Sequence, residues 1–347
     1  MSRAVVYVAS FSLILLVLPV PTSAQFNVGL GADVTLSLSP AHPTPGGSVK
    51  ITALSTSVDL SGANLRWFKN QKEIAEGMGL SEIDIVAGPL GSETSVRVEI
   101  AENDIEVASA EARVRPTEVD LLWESDSYVP PFFRGRSLPS AGTNLRLEAA
   151  ARFKKDDGSL VPGRDIVFTW RKNGYVVKSA SGRGKDRVLL PSPPLFGSDT
   201  VSVEARTSDG LFEGVASARI PATEPHLSLY EDHPLFGILY HQALGATARL
   251  PEVEASFAAV PYYAEARSPN GGELIYEWRV NGHAITSDAS RPNKITIDSR
   301  GSSGIARVEL ALTHVTNFFL GSSGSWGIIL LGENVVGGAG NPFGGTQ

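Results

Sequence analysis

The sequence contains no cysteine. Disulfides, thiolate metal centres, cysteine nucleophiles and a lipidated N-terminal cysteine are thereby excluded. Charged side chains are scarce at 19%, no basic run stands among them, and the formal net charge is −7. An acidic chain of this kind lacks the electrostatic footprint of a nucleic-acid binder. Long apolar runs are limited to one, residues 4–20, which excludes a polytopic membrane protein. Beyond it no stretch holds a 3.6-residue apolar period, so a helical bundle is excluded too. Turn residues are plentiful instead. The 347 residues include 35 glycines and 22 prolines, a composition suited to short strands joined by many turns.

The N-terminus reads as an address. Arg3 precedes the apolar run, and Thr22 and Ala24 suit the −3 and −1 positions of a signal-peptidase site. Residues 1–24 are predicted to be a secretory signal cleaved before Gln25. An uncleaved membrane anchor is the alternative, and this segment is the chain's only expected membrane contact. Export without cysteine suits a secreted or extracellular cell-surface protein that is bacterial, since small secreted animal domains lean on disulfides.

Internal repetition is the strongest signal. Residues 65–74 read LRWFKNQKEI, residues 168–177 FTWRKNGYVV and residues 276–285 YEWRVNGHAI. A second landmark follows each: VRVE at 96–99, VSVE at 201–204 and ARVE at 306–309. Trp67, Trp170 and Trp278 are 103 and 108 residues apart, and Glu99, Glu204 and Glu309 keep a period of 105. Residues 48–54 and 144–150 alternate apolar and polar side chains, as half-buried strands do. Asn173-Gly174 and Asn281-Gly282 mark tight hairpins. Strands and turns at this spacing predict two-sheet sandwiches of about 100 residues.

A tryptophan on a central strand, an Asn-Gly turn and a paired Val-x-Val strand resemble the bacterial immunoglobulin-like and PKD-like domains. The PKD pattern carries Trp-Asp-Phe-Gly-Asp-Gly, whereas Trp278 is followed by Arg279-Val280-Asn281-Gly282, so the general immunoglobulin-like class fits better. The resemblance implies an all-β chain of three tandem immunoglobulin-like β-sandwich domains after the signal peptide. Their expected bounds are 25–116, 117–222 and 223–332, with a Gly-rich disordered tail at 333–347. Proline stiffens the junctions at 115–118 and 220–225. Trp67, Trp170 and Trp278 are expected to plug the three cores. Trp123 and Tyr230 hold matching places at the starts of the second and third units, where they are expected to pack at the interdomain junction.

No catalytic constellation emerges, and no cofactor or metal is expected. His226, Glu231, Asp232, His233 and His241 lie close in sequence, but their spacing matches no zinc motif, and solvated loop residues are the preferred reading. Asp156-Asp157-Gly158 resembles part of a calcium loop without its further carboxylates, and reads as a turn. The aromatic doublets Phe132-Phe133, Tyr262-Tyr263 and Phe318-Phe319 suggest one inward and one outward ring each. The third unit is predicted to have a longer final hairpin with its tip at 321–325, flanked by Phe318, Phe319 and Trp326. These three are the candidate partner contacts, with capping of the last core as the alternative. The expected function is a non-catalytic spacer or adhesive element at the cell surface, binding a protein or a glycan. A carbohydrate-binding or substrate-docking protein is the second reading, and an exported enzyme the third.

Overall fold

The computed structural model describes residues 34–103, 105–250, 253–317 and 319–330. The predicted signal at 1–24, the tail at 333–347 and Phe318 lie outside the described residues. The chain divides into two compact units. The first takes Met1–Ala41, Ser48–Ile85 and Glu93–Val114, and the second takes the rest.

The first unit pairs a sheet of β1 (Val34–Ser39), β2 (Ser48–Ser55) and β5 (Glu82–Val86) with one of β3 (Asn64–Lys69), β4 (Lys72–Met78), β6 (Thr94–Glu102) and β7 (Ile105–Val114). The second unit begins with a matching pair. One sheet orders β13 (Arg187–Pro191), β9 (Asn144–Arg152) and β8 (Glu118–Ser125). The other orders β11 (Tyr175–Val176), β10 (Ile166–Lys172), β14 (Ser198–Thr207) and β15 (Glu213–Pro221), with β12 (Gly182–Arg183) beside β10. A further pair follows in the same unit. Its first sheet orders β17 (Gly237–Ala243), β16 (His226–His233), β19 (Glu254–Tyr262) and β22 (Lys294–Asp298). Its second orders β18 (Thr247–Arg249), β24 (Gly321–Leu330), β23 (Gly304–His314), β20 (Leu274–Val280) and β21 (His283–Ile285). The long inner strands, such as β2, β10, β14, β20 and β23, alternate an inward buried set with an outward one, so two facing sheets close over one core. The chain is an array of immunoglobulin-like β-sandwiches.

The repeated motifs coincide with paired strands. Trp67 lies opposite Val98, Trp170 opposite Val203, and Trp278 opposite Leu310. The Val-x-Val-Glu segment is therefore the antiparallel neighbour of the tryptophan strand, which explains why the two landmarks share one period. The indoles are at most 1% exposed. Each Nε1 donates to a carbonyl of the loop beyond: Leu80 at 2.8 Å, Lys185 at 2.9 Å and Pro292 at 2.9 Å. At about 25 cal/mol per Å², burying 150–250 Å² of indole contributes about 4–6 kcal/mol before entropy.

The motif asparagines do more than turn the chain. Asn173 (φ 52°) and Gly174 (φ 83°), like Asn281 and Gly282, adopt the positive φ that a two-residue hairpin demands, and so do Asn70 and Gln71. The asparagine Oδ1 atoms also accept from the next strand: Ser95 N at 3.0 Å, Thr200 N at 2.9 Å and Arg307 N at 2.8 Å. The side chain thus extends the ladder one step past the strand end.

The last hairpin differs from its expectation. Residues 321–325 form no tip, because they pair along β23, from Glu309↔Ser325 to Thr313↔Gly321. The connecting loop is 315–320, close in length to 208–212 in the preceding sandwich, so the extra residues lengthen strands. The elements added to the last sandwich are instead β17, which the two three-stranded sheets lack, and β18, which runs parallel to β24 at the edge of the other sheet.

Trp170→Ala is expected to destabilise its sandwich by about 3–5 kcal/mol. Trp170→Phe should lose far less, the missing bond to Lys185 being worth about 1 kcal/mol. Denaturant unfolding followed by fluorescence checks the order. Equal losses would show that volume does not control this core.

Candidate functional site

The residues of most interest gather where the two sandwiches of the second unit meet. Tyr128, just past β8, donates its N–H to Ala264 O at 2.9 Å and accepts from Tyr263 N at 2.7 Å. Thr223 N donates to Pro139 O at 2.7 Å. Three backbone bonds therefore join loops more than eighty residues apart in sequence. Around them Phe133 meets Tyr262 and Tyr263 edge-on, with ring centroids 5.7 and 6.2 Å away. Such pairs add about 0.5–1.5 kcal/mol beyond the area they bury. Tyr230 and Tyr262 share a hydroxyl hydrogen bond of 2.6 Å, and Tyr230 packs on Tyr240. Tyr276 donates to Pro269 O at 2.8 Å. Trp123 is half-buried over the middle core, with the Arg136 guanidinium 4.3 Å above its ring.

Electrostatics follow from burial. Desolvation raises the Tyr128 hydroxyl from its ordinary value of 10 to about 12, with Tyr240 adding to the shift. Burial likewise pushes Tyr240, Tyr262 and Tyr276 up. Burial also raises Glu265, reinforced by Asp126 and Glu273 and opposed by His314. The Glu265 carboxylate rests on Gly142 (φ 94°), where any Cβ would overlap it. His314 is 4% exposed, and its Nδ1 accepts from Asn317 N at 3.2 Å and Thr316 N at 3.3 Å. That fixes the neutral ring's proton on Nε2, which faces Glu265 Oε2 at 3.7 Å.

Three turns at this joint share an unusual geometry. Phe133 N reaches back to Pro130 O, Gly197 N to Pro194 O and Ala264 N to Pro261 O. The third residue of each turn is Phe132 (φ 65°), Phe196 (φ 61°) or Tyr263 (φ 61°). That position favours glycine or asparagine, and a bulky side chain there costs about 1–2 kcal/mol. Phe132 is 92% exposed and Phe196 79%. The loop 315–320 reaches the same end of the last sandwich, since Val315 N bonds Glu273 O beside Glu265. It holds Phe319 at 84% exposure.

The candidate contacts thus separate. Phe319 is exposed and Phe318 lies outside the described residues. Trp326, expected at a contact tip, is a core residue. It is 7% exposed, sits in β24 opposite Val308, and packs with Val308 and Ile328. Its indole lies over Gly324, where a Cβ would collide with the ring. A side chain so enclosed reaches no partner. Phe132 is the outward member of its doublet, while Phe133 and Tyr262 face the joint. Phe196 was missed, although Pro193-Pro194-Leu195-Phe196 echoes Pro130-Pro131-Phe132 and offered the signal.

The histidine-rich segment has other employment. His226 lies by the Tyr262 ring, Asp232 pairs with Lys294 at 2.5 Å, and His233 stacks on Phe236. Asp157 accepts from Ser159 N and Oγ, closing a turn through Gly158.

No family model matches this chain, and no curated protein does either. Solved structures similar to it include fibronectin(III)-like modules of Clostridium thermocellum CbhA, at 17% identity over 55% of this chain and 94% of that one, TM-score 0.26. Sidekick-1 immunoglobulin domains 1–4 match at 14% identity over 87% and 75%, TM-score 0.21. The central fibronectin-III array of RIM-binding protein matches at 11% over 82% and 91%, TM-score 0.27. All are tandem immunoglobulin- or fibronectin-type modules. The likeness concerns fold alone.

Because the Tyr128 hydroxyl is harder to ionise in the folded chain, its contribution is whole below pH 10 and lost as pH rises towards about 12. The joint should therefore loosen in that window, together with a late rise of tyrosinate absorbance. Tyr128→Phe is expected to blunt the pH dependence. An unchanged alkaline profile would remove Tyr128 from the joint.

Proposed function

We propose that this protein is an exported, non-catalytic surface or secreted protein of bacterial type. Its immunoglobulin-like modules, spanning about 25–116, 117–222 and 223–332, serve as a spacer and adhesive element for a protein or glycan. The observation that carries this reading is the pair of strained turns at the joint. They hold Phe132 and Phe196 in water beside a clasp of backbone bonds and tyrosines. Backbone strain persists only where the surroundings enforce it, and exposed aromatics on a fixed scaffold are suited to recognition. The N-terminal pattern of Arg3, the apolar run and Thr22-Ser23-Ala24 supports export.

The combined variant Phe132→Ser, Phe196→Ser, Phe319→Ser is expected to reduce cell-surface or glycan-array binding at least tenfold, with melting unchanged. A fall in melting of several degrees would make these side chains structural. Mass spectrometry of the secreted protein should find Gln25 as its first residue. A retained leader would favour the anchor.

A further inference from the structure

Two turns of the last sandwich are closed in the same way. His233 Nδ1 accepts from Leu235 N at 3.1 Å and Phe236 N at 3.3 Å. His314 Nδ1 accepts from Thr316 N at 3.3 Å and Asn317 N at 3.2 Å. In each case an imidazole nitrogen caps the amides two and three residues on. Each closed turn displays a phenylalanine, Phe236 at 76% exposure and Phe319 at 84%. We propose that His233 and His314 are proton-operated caps, which hold these two turns at neutral pH and release them on acidification.

A backbone N–H only donates, so the nitrogen that receives it must present a lone pair. Imidazolium carries an N–H at both positions and has no lone pair left to offer. The capped turn and the protonated ring therefore exclude each other. Imidazole ordinarily titrates at about pH 6.5. The caps are whole above that value and are lost as pH falls through it.

The choice of histidine is selective. Five other turns place aspartate in the same role: Asp59, Asp157, Asp209, Asp288 and Asp298 accept from the backbone N–H of Ser61, Ser159, Leu211, Ser290 and Arg300. Hydrogen bonds from hydroxyl, guanidinium or backbone donors hold all five carboxyls below their ordinary value, so these caps survive mild acid. The aspartate turns display no phenylalanine, since Phe212, beside Asp209, is only 9% exposed.

The buried cap has a counter-charge waiting. His314 Nε2 has no hydrogen-bond partner and stands 3.7 Å from Glu265 Oε2, with Asp126 and Glu273 acting on the same carboxyl. A second proton on the ring would meet that negative charge. The Thr316 hydroxyl, 3.2 Å from Nδ1, can accept the new N–H, but neither backbone amide can then use that nitrogen. At the tip, His233 has Glu231 and Asp232 beside it on β16, and Asp232 is already paired with Lys294 of β22. Burial raises Glu265, so its own protonation relieves a cost and tightens the joint as pH falls. Opening of the two turns in acid therefore comes from the rings and not from Glu265.

Amide exchange followed by NMR on the isotopically labelled full chain tests the proposal, with the imidazole nitrogens read in the same samples. At about pH 7.5 both rings should carry their proton on Nε2, and the amides of Leu235, Phe236, Thr316 and Asn317 should be protected. At about pH 5 the rings should be imidazolium, and that protection, corrected for intrinsic exchange, should fall about tenfold. The amides of Ser61, Ser159, Leu211, Ser290 and Arg300 should keep theirs. His233→Asn and His314→Asn put a side-chain oxygen in place of the nitrogen and should stay protected at both pH values. A ring with Nδ1 protonated at neutral pH, imidazolium formed without loss of protection, or asparagine variants that open in acid as the wild type does would overturn the inference. If His314→Asn does not fold, the wild-type titrations decide: a midpoint shared by ring and amides supports the cap, and separate midpoints overturn it.

Discussion

Each sandwich hangs on one buried tryptophan and the hydrogen bond its indole makes. The ring fills the space between two sheets in a chain with no disulfide to hold them. Burying an N–H without a partner would offset much of that gain, so the bond to Leu80, Lys185 or Pro292 is a condition of using tryptophan at all. It also fixes the path of the loop that leads into the outer strand of the facing sheet. Beside the tryptophan, Arg66 pairs with Glu99 and Arg171 with Glu204 across the two strands, whereas Glu309 pairs with Arg307 on its own strand. A residue chosen for volume thus determines where the opposite sheet begins.

The joint between the two later sandwiches obeys different physics. It has no large apolar plug. Reciprocal backbone bonds, edge-on rings and a chain of phenol hydroxyls connect it, and a glutamate is accommodated because Gly142 has no side chain. Among the described residues, every tyrosine except Tyr175 takes part. Tyrosine suits the place because its ring packs while its hydroxyl finds a partner. The second and third repeats consequently share one compact unit, although the repeat length alone treats them as separate.

These two regimes explain what could be read from the chain. The sandwich landmarks are local: tryptophan, asparagine and Val-x-Val-Glu sit on adjoining strands, so a fixed period exposes them. The joint is made by loops distant in sequence, and nothing near Phe133 announces Tyr262. Trp326 was misplaced because Gly321-Ser-Ser-Gly-Ser325 looks like a loop. In fact those small residues are a strand whose bareness leaves room for the indole beside Gly324. The outward position of Phe196 was hidden for a related reason, since a phenylalanine at positive φ contradicts the local rule that assigns such turns to glycine.

The asparagine latches carry a chemical consequence. Asn-Gly is the dipeptide most prone to cyclise, its glycine nitrogen attacking the side-chain carbonyl and expelling ammonia. In the folded chain, the Asn173 carbonyl is held by Thr200 N and its amide by Asp199 Oδ1. The Asn281 carbonyl is held by Arg307 N. Both side chains are held to the neighbouring strand, which restricts the rotation that the attack requires. Folding therefore slows the ageing of the very turns it uses. An unfolded copy would accumulate aspartate and isoaspartate at 173, 270 and 281, and a copy altered at 173 or 281 would return with a latch that no longer closes. Asn70, followed by glutamine, carries much less of that risk.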